Sequence, residues 1–148
     1  FVVNTAGMLT IQALNLMTDD EVKESIGINY LGCINVAKEA YEYLRKSKGS
    51  LLLYTSSSYT RGRAMYSLYS SLKAAIVNFV QAISEEWSGK SIRVNCINPE
   101  RTLTPMRVKN FGIEPEGSLL DARTVAVASL KTLVSDMTGE VIDVRRKK

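Results

Sequence analysis

Short unbroken apolar runs alternate along this chain with longer stretches in which apolar residues recur at intervals of three and four. The first kind reads as buried strand, the second as helix with one covered face. Phe1 to Val3 is the first run, and it stops at Asn4-Thr5-Ala6-Gly7, the composition of a tight turn. After a loop, Thr18 with Glu21 three residues on makes a capping box, and Asp19 and Asp20 put negative charge at the positive end of the helix dipole. The helix that starts there carries Val22, Ile26, Asn29, Cys33, Val36, Ala40 and Leu44 on one stripe, which puts Asn29 on the buried face. Gly27 and Gly32 flank it, each costing about 1 kcal/mol against alanine in a helix interior. The hydrogen-bond ladder is therefore weak around Asn29, and a kink or a close backbone approach is predicted there. The helix ends near Ser47 to Gly49.

Ser50 to Tyr54 is the next strand and runs directly into Thr55, Ser56, Ser57 and Ser58. A helix over about Tyr66 to Trp87 shows two adjacent apolar lines, Leu72, Ala75, Phe79, Ala82 and Ile76, Val80, Ile83, Trp87. Extending the second line backwards gives Lys73 and then Tyr69, so both are predicted on a covered side. Ser91 to Ile97 is the third strand, followed by a turn at Asn98-Pro99 and a long loop from Glu100 to Gly117 that reads as a functional lid. A last helix over about Leu120 to Leu133 leads to a short final strand, Glu140 to Val144. Strands alternating with helices in this way imply a parallel α/β domain, because parallel strands need crossover connections.

With 148 residues, 45% hydrophobic and 23% charged, the chain has the composition of one soluble globular domain. It contains no histidine, which excludes a Ser-His-Asp triad, a Cys-His dyad and any imidazole-ligated metal; no metal site is predicted. Cys33 and Cys96 sit singly in apolar segments and read as buried thiols in a reducing compartment, consistent with a cytoplasmic protein. Much of the +4 net charge comes from the run of four basic residues at 145–148, which reads as a solvated end, so no nucleic-acid partner is expected. The longest uncharged run, Phe1 to Thr18, is too polar to span a membrane.

Candidate chemistry gathers between Thr55 and Lys73. Tyr69 and Lys73 are one helical turn apart and Ser56 precedes the tyrosine by thirteen residues. A phenol, an ammonium and a hydroxyl can together polarise a carbonyl and pass it a proton. The Tyr-x-x-x-Lys spacing alone is weak, since chance supplies about half an occurrence in a chain of this composition, and an i, i+4 pair on a solvated face is the competing reading. Its position is more telling: the pair opens a helix that follows a strand ending in Thr-Ser-Ser-Ser, and open α/β sheets bind ligands beyond the carboxyl ends of their strands.

Taken together, Asn-Thr-Ala-Gly at 4–7, the Asn29 helix, the serines at 55–58, Tyr-Ser-Ser-Leu-Lys at 69–73 and the segment 93–105 resemble the short-chain dehydrogenase/reductase family in order and spacing. The resemblance implies a Rossmann-like three-layer fold in which residues 1–148 supply the half from the family's fourth strand to its seventh. It also implies a nicotinamide cofactor, NADP(H) ahead of NAD(H), and a small carbonyl or alcohol substrate. The catalytic tetrad it implies is Ser56, Tyr69, Lys73 and Asn29. Asn4, Ala6 and Gly7 correspond to the motif beside the cofactor's adenosine end, Pro99, Thr102 and Thr104 to the segment at the nicotinamide, and Lys73 with Tyr69 to the nicotinamide ribose. A nearby ammonium lowers a phenol's pKa, so Lys73 is expected to bring Tyr69 toward neutrality. Thr5 and Glu100 depart from the family's usual Asn and Gly, the second placing a carboxylate near the cofactor.

Arg61, Arg63, Arg101, Arg107 and Lys109 lie in the two connections expected to flank the reacting carbonyl, which suits an anionic substrate such as a sugar phosphate; ordinary solvated loop charge is the alternative. The run from Ile97 to Gly112 further resembles the reductase half of bacterial bifunctional proteins that form ribitol 5-phosphate. No glycine-rich pyrophosphate loop occurs in the sequence, so the chain by itself is expected to bind a dinucleotide poorly and to be inactive. The broad faces of the two long helices are expected to pair in a homo-oligomer, and a non-catalytic folding or oligomerisation module is the rival reading.

Overall fold

The computed structural model describes residues 1–146 and contains a four-stranded, wholly parallel sheet in the order β1-β2-β3-β4. The strands are β1 (Val2–Val3), β2 (Ser50–Tyr54), β3 (Arg93–Pro99) and β4 (Val141–Val144), joined through helices α1 (Asp19–Ile26), α2 (Gly32–Ser47), α3 (Ser67–Trp87), α4 (Pro105–Phe111) and α5 (Ala122–Val134). Alternate residues of the strands go to opposite sides. Leu51, Leu53, Val94 and Cys96 join Cys33, Leu44, Ile76, Val80 and Ile83 in one core, whereas Leu52, Ile97 and Val144 meet Leu120, Val125 and Leu133 in another. Both faces of the sheet are thus covered, which is why its strands read as unbroken apolar runs rather than as alternating ones. This is the Rossmann-like three-layer α/β arrangement.

The helix predicted from Thr18 to Ser47 is interrupted by one π-helical turn, Gly27–Leu31, with Asn29 at its centre and wholly buried. The buried positions Ser25, Asn29, Cys33 and Ala37 are each four apart. In a regular α-helix three successive steps of four drift by about 120°. The wider turn takes up that drift and keeps all four on one face, and the two glycines leave room for it. The capping box at the start is present in full, Thr18 Oγ1 accepting from Glu21 N at 3.2 Å and Thr18 N donating to Glu21 Oε2 at 2.8 Å.

On α3 the second apolar line is the covered one: Lys73, Ile76, Val80 and Ile83 are all buried. The first is covered less than its pattern implies, with Leu72 buried, Phe79 half-buried and Ala82 exposed. Phe79 meets Tyr30 edge to face, ring centroids 6.2 Å apart.

The segment 100–117 is not a plain loop. Thr104 caps α4 by accepting from Arg107 N at 3.1 Å, and Pro105 occupies the first turn, where its missing N–H costs nothing. At its base the segment is closed by Leu103 N donating to Leu120 O (2.9 Å) and Leu120 N donating to Arg101 O (2.8 Å).

The basic end is also partly engaged. Arg146 donates its backbone N–H to Glu100 Oε2 at 2.9 Å and its guanidinium to Glu100 Oε1 at 3.1 and 3.3 Å, and Arg145 pairs with Asp143. Lys147 and Lys148, the rest of the tail read as solvated, lie outside the described residues. Among the described residues, no helix is long and apolar enough to cross a membrane.

Candidate active site

The carboxyl ends of β1, β2 and β3 open onto one cleft of about 860 Å³. Gly7 stands on its wall after β1, Thr55 to Ser58 after β2, Pro99 to Thr102 after β3, and α3 contributes Tyr69 and Lys73. Of the residues singled out in the sequence, Ser56, Tyr69, Lys73, Gly7, Pro99, Thr102, Thr104, Arg63, Arg101 and Arg107 line this space. Asn4, Ala6, Asn29, Arg61 and Lys109 do not.

Asn4 turns inward instead. Its Oδ1 accepts from Ala6 N at 3.0 Å and its Nδ2 donates to Cys33 Sγ at 3.6 Å, which shapes the turn after β1. Asn29 reaches the same turn from the π-helical segment: Nδ2 donates to Met8 O and to Ser25 O, each at 3.0 Å, while Oδ1 accepts from Met8 N at 3.2 Å. A Cβ placed on Gly7 would lie 3.3 Å from Asn29 Oδ1 and 3.6 Å from Lys73 Nζ. Gly7, Asn29 and Lys73 therefore meet at one point at the back of the cleft.

Lys73 is 5% exposed. Its Nζ donates to Tyr54 O at 3.1 Å and lies 5.5 Å from the centroid of the Tyr69 ring. The helix turn that carries it is tied to the end of β2 by Thr55 Oγ1 donating to Lys73 O at 2.7 Å. Burial lowers the lysine's pKa. Burial, by contrast, raises that of Tyr69, and the Ser56 hydroxyl, which also accepts from Ser58 Oγ at 3.3 Å, pulls it partly back. The depression of Tyr69 by Lys73 expected from the sequence is thus not what this geometry produces. The ammonium is turned toward the Tyr54 carbonyl, and desolvation of the phenol dominates. Beneath Lys73, Cys33 and Cys96 are both buried; burial raises the Cys33 thiol and pushes that of Cys96 up to about 12, so neither supplies a thiolate counter-ion at neutral pH.

Glu100 lines the cleft, but its carboxylate is held by Arg146, which lowers its pKa, and its N–H donates to Val144 O at 2.9 Å. The departure from glycine at this position is accommodated by pairing at the end of β4.

A family model described as short chain dehydrogenase matches residues 1–113. The chain belongs to the short-chain dehydrogenase family. A bifunctional ribulose 5-phosphate reductase/CDP-ribitol pyrophosphorylase of Haemophilus influenzae is 59% identical over 143 residues, which are 97% of this chain and 30% of that protein. The L-fucose dehydrogenase of Oryctolagus cuniculus is 28% identical over 116 residues, 78% of this chain and 41% of that enzyme. The chain thus spans well under half the length of these curated relatives.

Among solved structures, ElxO with NADP bound superposes with a TM-score of 0.83 at 22% identity, over 96% of this chain and 64% of ElxO. A 3-ketoacyl-(acyl-carrier-protein) reductase from Brucella melitensis complexed with NADH superposes with a TM-score of 0.85 at 24% identity, again over 96% of this chain and 64% of the other. At these identities the likeness establishes the short-chain dehydrogenase fold.

Several cleft residues were not singled out in the sequence. Met106 and Phe111 come with α4, for which Thr104-Pro105 was the available signal. Tyr66, Val125 and Ala126 carry no motif; the first precedes α3 and the others lie on α5.

Proposed function

We propose that this chain forms the proton-transfer and substrate-facing part of an NADP(H)-dependent carbonyl reductase acting on a ketose phosphate such as ribulose 5-phosphate. The observation that carries the reading is the meeting of Ser56, Tyr69 and Lys73 in one cleft at the strand ends, with Asn29 behind Lys73. The identity of 59% to a ribulose 5-phosphate reductase supports the substrate, and the NADP and NADH bound in structural neighbours support a nicotinamide cofactor.

The residues fit a nicotinamide nucleotide: Gly7 leaves open a space next to Asn29 and Lys73 that a side chain would fill, and Pro99, Thr102 and Thr104 form the facing wall. When bound, the cofactor supplies hydride to the carbonyl carbon. Tyr69 gives its phenolic proton to the carbonyl oxygen, and the Ser56 hydroxyl donates a hydrogen bond to the charge developing there. In this role a phenol whose pKa is raised by burial stays protonated and available as the acid. Lys73 would hold the ribose of the bound cofactor, and Asn29, fixed by Met8 and Ser25, supports reprotonation from behind. Arg63, Arg101 and Arg107 face the anionic end of the substrate, whereas Arg61 and Lys109 stand off the cleft. The parent protein is read as cytoplasmic and as a homo-oligomer through the exposed sides of α2 and α3.

In the intact protein, Tyr69→Phe is expected to retain NADPH binding, measured by nucleotide fluorescence titration, while NADPH oxidation with ribulose 5-phosphate falls by at least about 100-fold. Undiminished turnover in this variant would sink the assignment.

A further inference from the structure

Residues 104–114 build a compact device on the rim of the cleft. Gly112, at a φ of 74°, reverses the chain after α4 and brings Glu114 back alongside Arg107. Glu114 accepts from Arg107 Nε at 2.6 Å and from Nη2 at 2.9 Å, and Arg101 Nη1 reaches the same carboxylate at 3.5 Å. The Arg107 guanidinium carbon also lies 3.6 Å from the centroid of the Phe111 ring. Arg101, Arg107 and Phe111 line the cleft, but Glu114 does not. The side chains of Arg107 and Glu114 are 17% and 16% exposed.

A guanidinium carries five N–H donors in a rigid plane. Glu114 engages the side formed by Nε and Nη2, and Phe111 covers a face, so the Nη1 donors and the second Nη2 donor remain for another acceptor. Arg107 needs no change of partner to use them. Arg63 and Arg101 are on the same cleft, and the carboxylate that lines it, Glu100, is occupied by Arg146. Three arginines against the single Glu114 carboxylate leave a surplus that favours a dianion over a neutral sugar.

We propose that Glu114 is a positioning residue that, together with Phe111, holds Arg107 as a preorganised fork for a phosphate monoester on the substrate. The inference rests on reading the protein as a reductase of a ketose phosphate. The fork works because an arginine already fixed in its plane loses less conformational freedom when phosphate binds.

The test uses Glu114→Gln and Arg107→Lys in the intact protein. Steady-state kinetics with ribulose 5-phosphate and with ribulose are paired with calorimetric titration of ribulose 5-phosphate. Glu114→Gln keeps the shape and one acceptor but loses the charge-assisted pair; KM for the phosphorylated ketose is expected to rise about fivefold, the equivalent of about 1 kcal/mol. The loss falls on KM rather than kcat, and selectivity over ribulose falls by the same factor. Arg107→Lys keeps the charge and loses the fork, and its KM is expected to rise at least as much. The inference is overturned if Glu114→Gln lowers KM, which would make the carboxylate a competitor of the substrate. It is also overturned if both ketoses suffer equally or if Arg107→Lys binds as the wild type does. Should the protein reduce neither ketose while ribulose 5-phosphate still binds, and binds about fivefold more weakly to Glu114→Gln, the fork stands and the reductase reading falls.

Discussion

Replacing Lys73 by Met should stabilise the fold while removing its function. Lys73 is 5% exposed, and its ammonium pairs with no carboxylate among the described residues and has one protein hydrogen bond there, to Tyr54 O at 3.1 Å. Burying an ammonium costs on the order of 4 kcal/mol after relaxation, and one charge-assisted hydrogen bond returns about 1.5–3 kcal/mol. Methionine fills nearly the same volume with no charge to desolvate. The variant is therefore expected to gain about 1–2.5 kcal/mol, or about 2–10 °C in Tm. The measurement is urea and thermal unfolding of intact wild type and Lys73→Met without cofactor, since a nucleotide bound only by the wild type would add its own stabilisation.

The pH dependence gives the sharper check. Burial lowers the lysine's pKa from 10.5. Below the lowered value Lys73 is charged in both states and the penalty is present in full. Between that value and 10.5 the unfolded chain binds more protons than the folded one, so wild-type stability rises with pH. The advantage of Lys73→Met is thus largest below the lowered value and shrinks as pH climbs from there toward 10.5. A variant less stable by 1 kcal/mol or more at pH 7, or an advantage that grows with pH, would refute the reasoning.

Two further outcomes follow from local geometry. At Gly49 an added Cβ would lie 2.8 Å from Leu44 Cδ2 and 2.9 Å from Ser47 Oγ, and Leu44 is 1% exposed in the core; Gly49→Ala is expected to cost about 1–3 kcal/mol, read as a lower urea midpoint at unchanged slope. Arg146 holds the Glu100 carboxyl below its ordinary value of 4.5, so the contribution of this pair is present above that value and lost as pH falls through the lowered one. The gap in urea midpoint between wild type and Glu100→Gln should accordingly be open at pH 7 and close in acid; a gap that widens in acid contradicts the pairing.

The strands were legible because both faces of the sheet are covered, which writes Leu51, Leu52 and Leu53 as one apolar run. The placement of Ser56, Tyr69 and Lys73 was legible for a related reason: strand, turn and helix are contiguous, so sequence spacing converts directly into a shared cleft. Where the chain doubles back, that conversion fails. Helix α4 buries no residue and is too short to show a period, and only its Thr104-Pro105 start marks it. Glu114 meets Arg107 because Gly112 takes a positive φ, which spacing does not reveal. Spacing likewise put Lys73 on the right face but not its ammonium on the Tyr54 carbonyl, and for that reason it gave the wrong direction for the Tyr69 phenol.

The single π-helical turn at Gly27–Leu31 makes the count of residues there matter as much as their identity. Ile28 and Leu31 are exposed and their side chains look dispensable. Losing either one outright would let the turn relax to an ordinary α-helical one, and because the π turn holds one residue more than the turn it replaces, α2 would keep its face toward the sheet. Asn29 would lose the position from which it holds Met8, while Cys33, Ala37, Ala40 and Leu44 would stay on the core. Here, tolerance to substitution is no guide to tolerance to deletion.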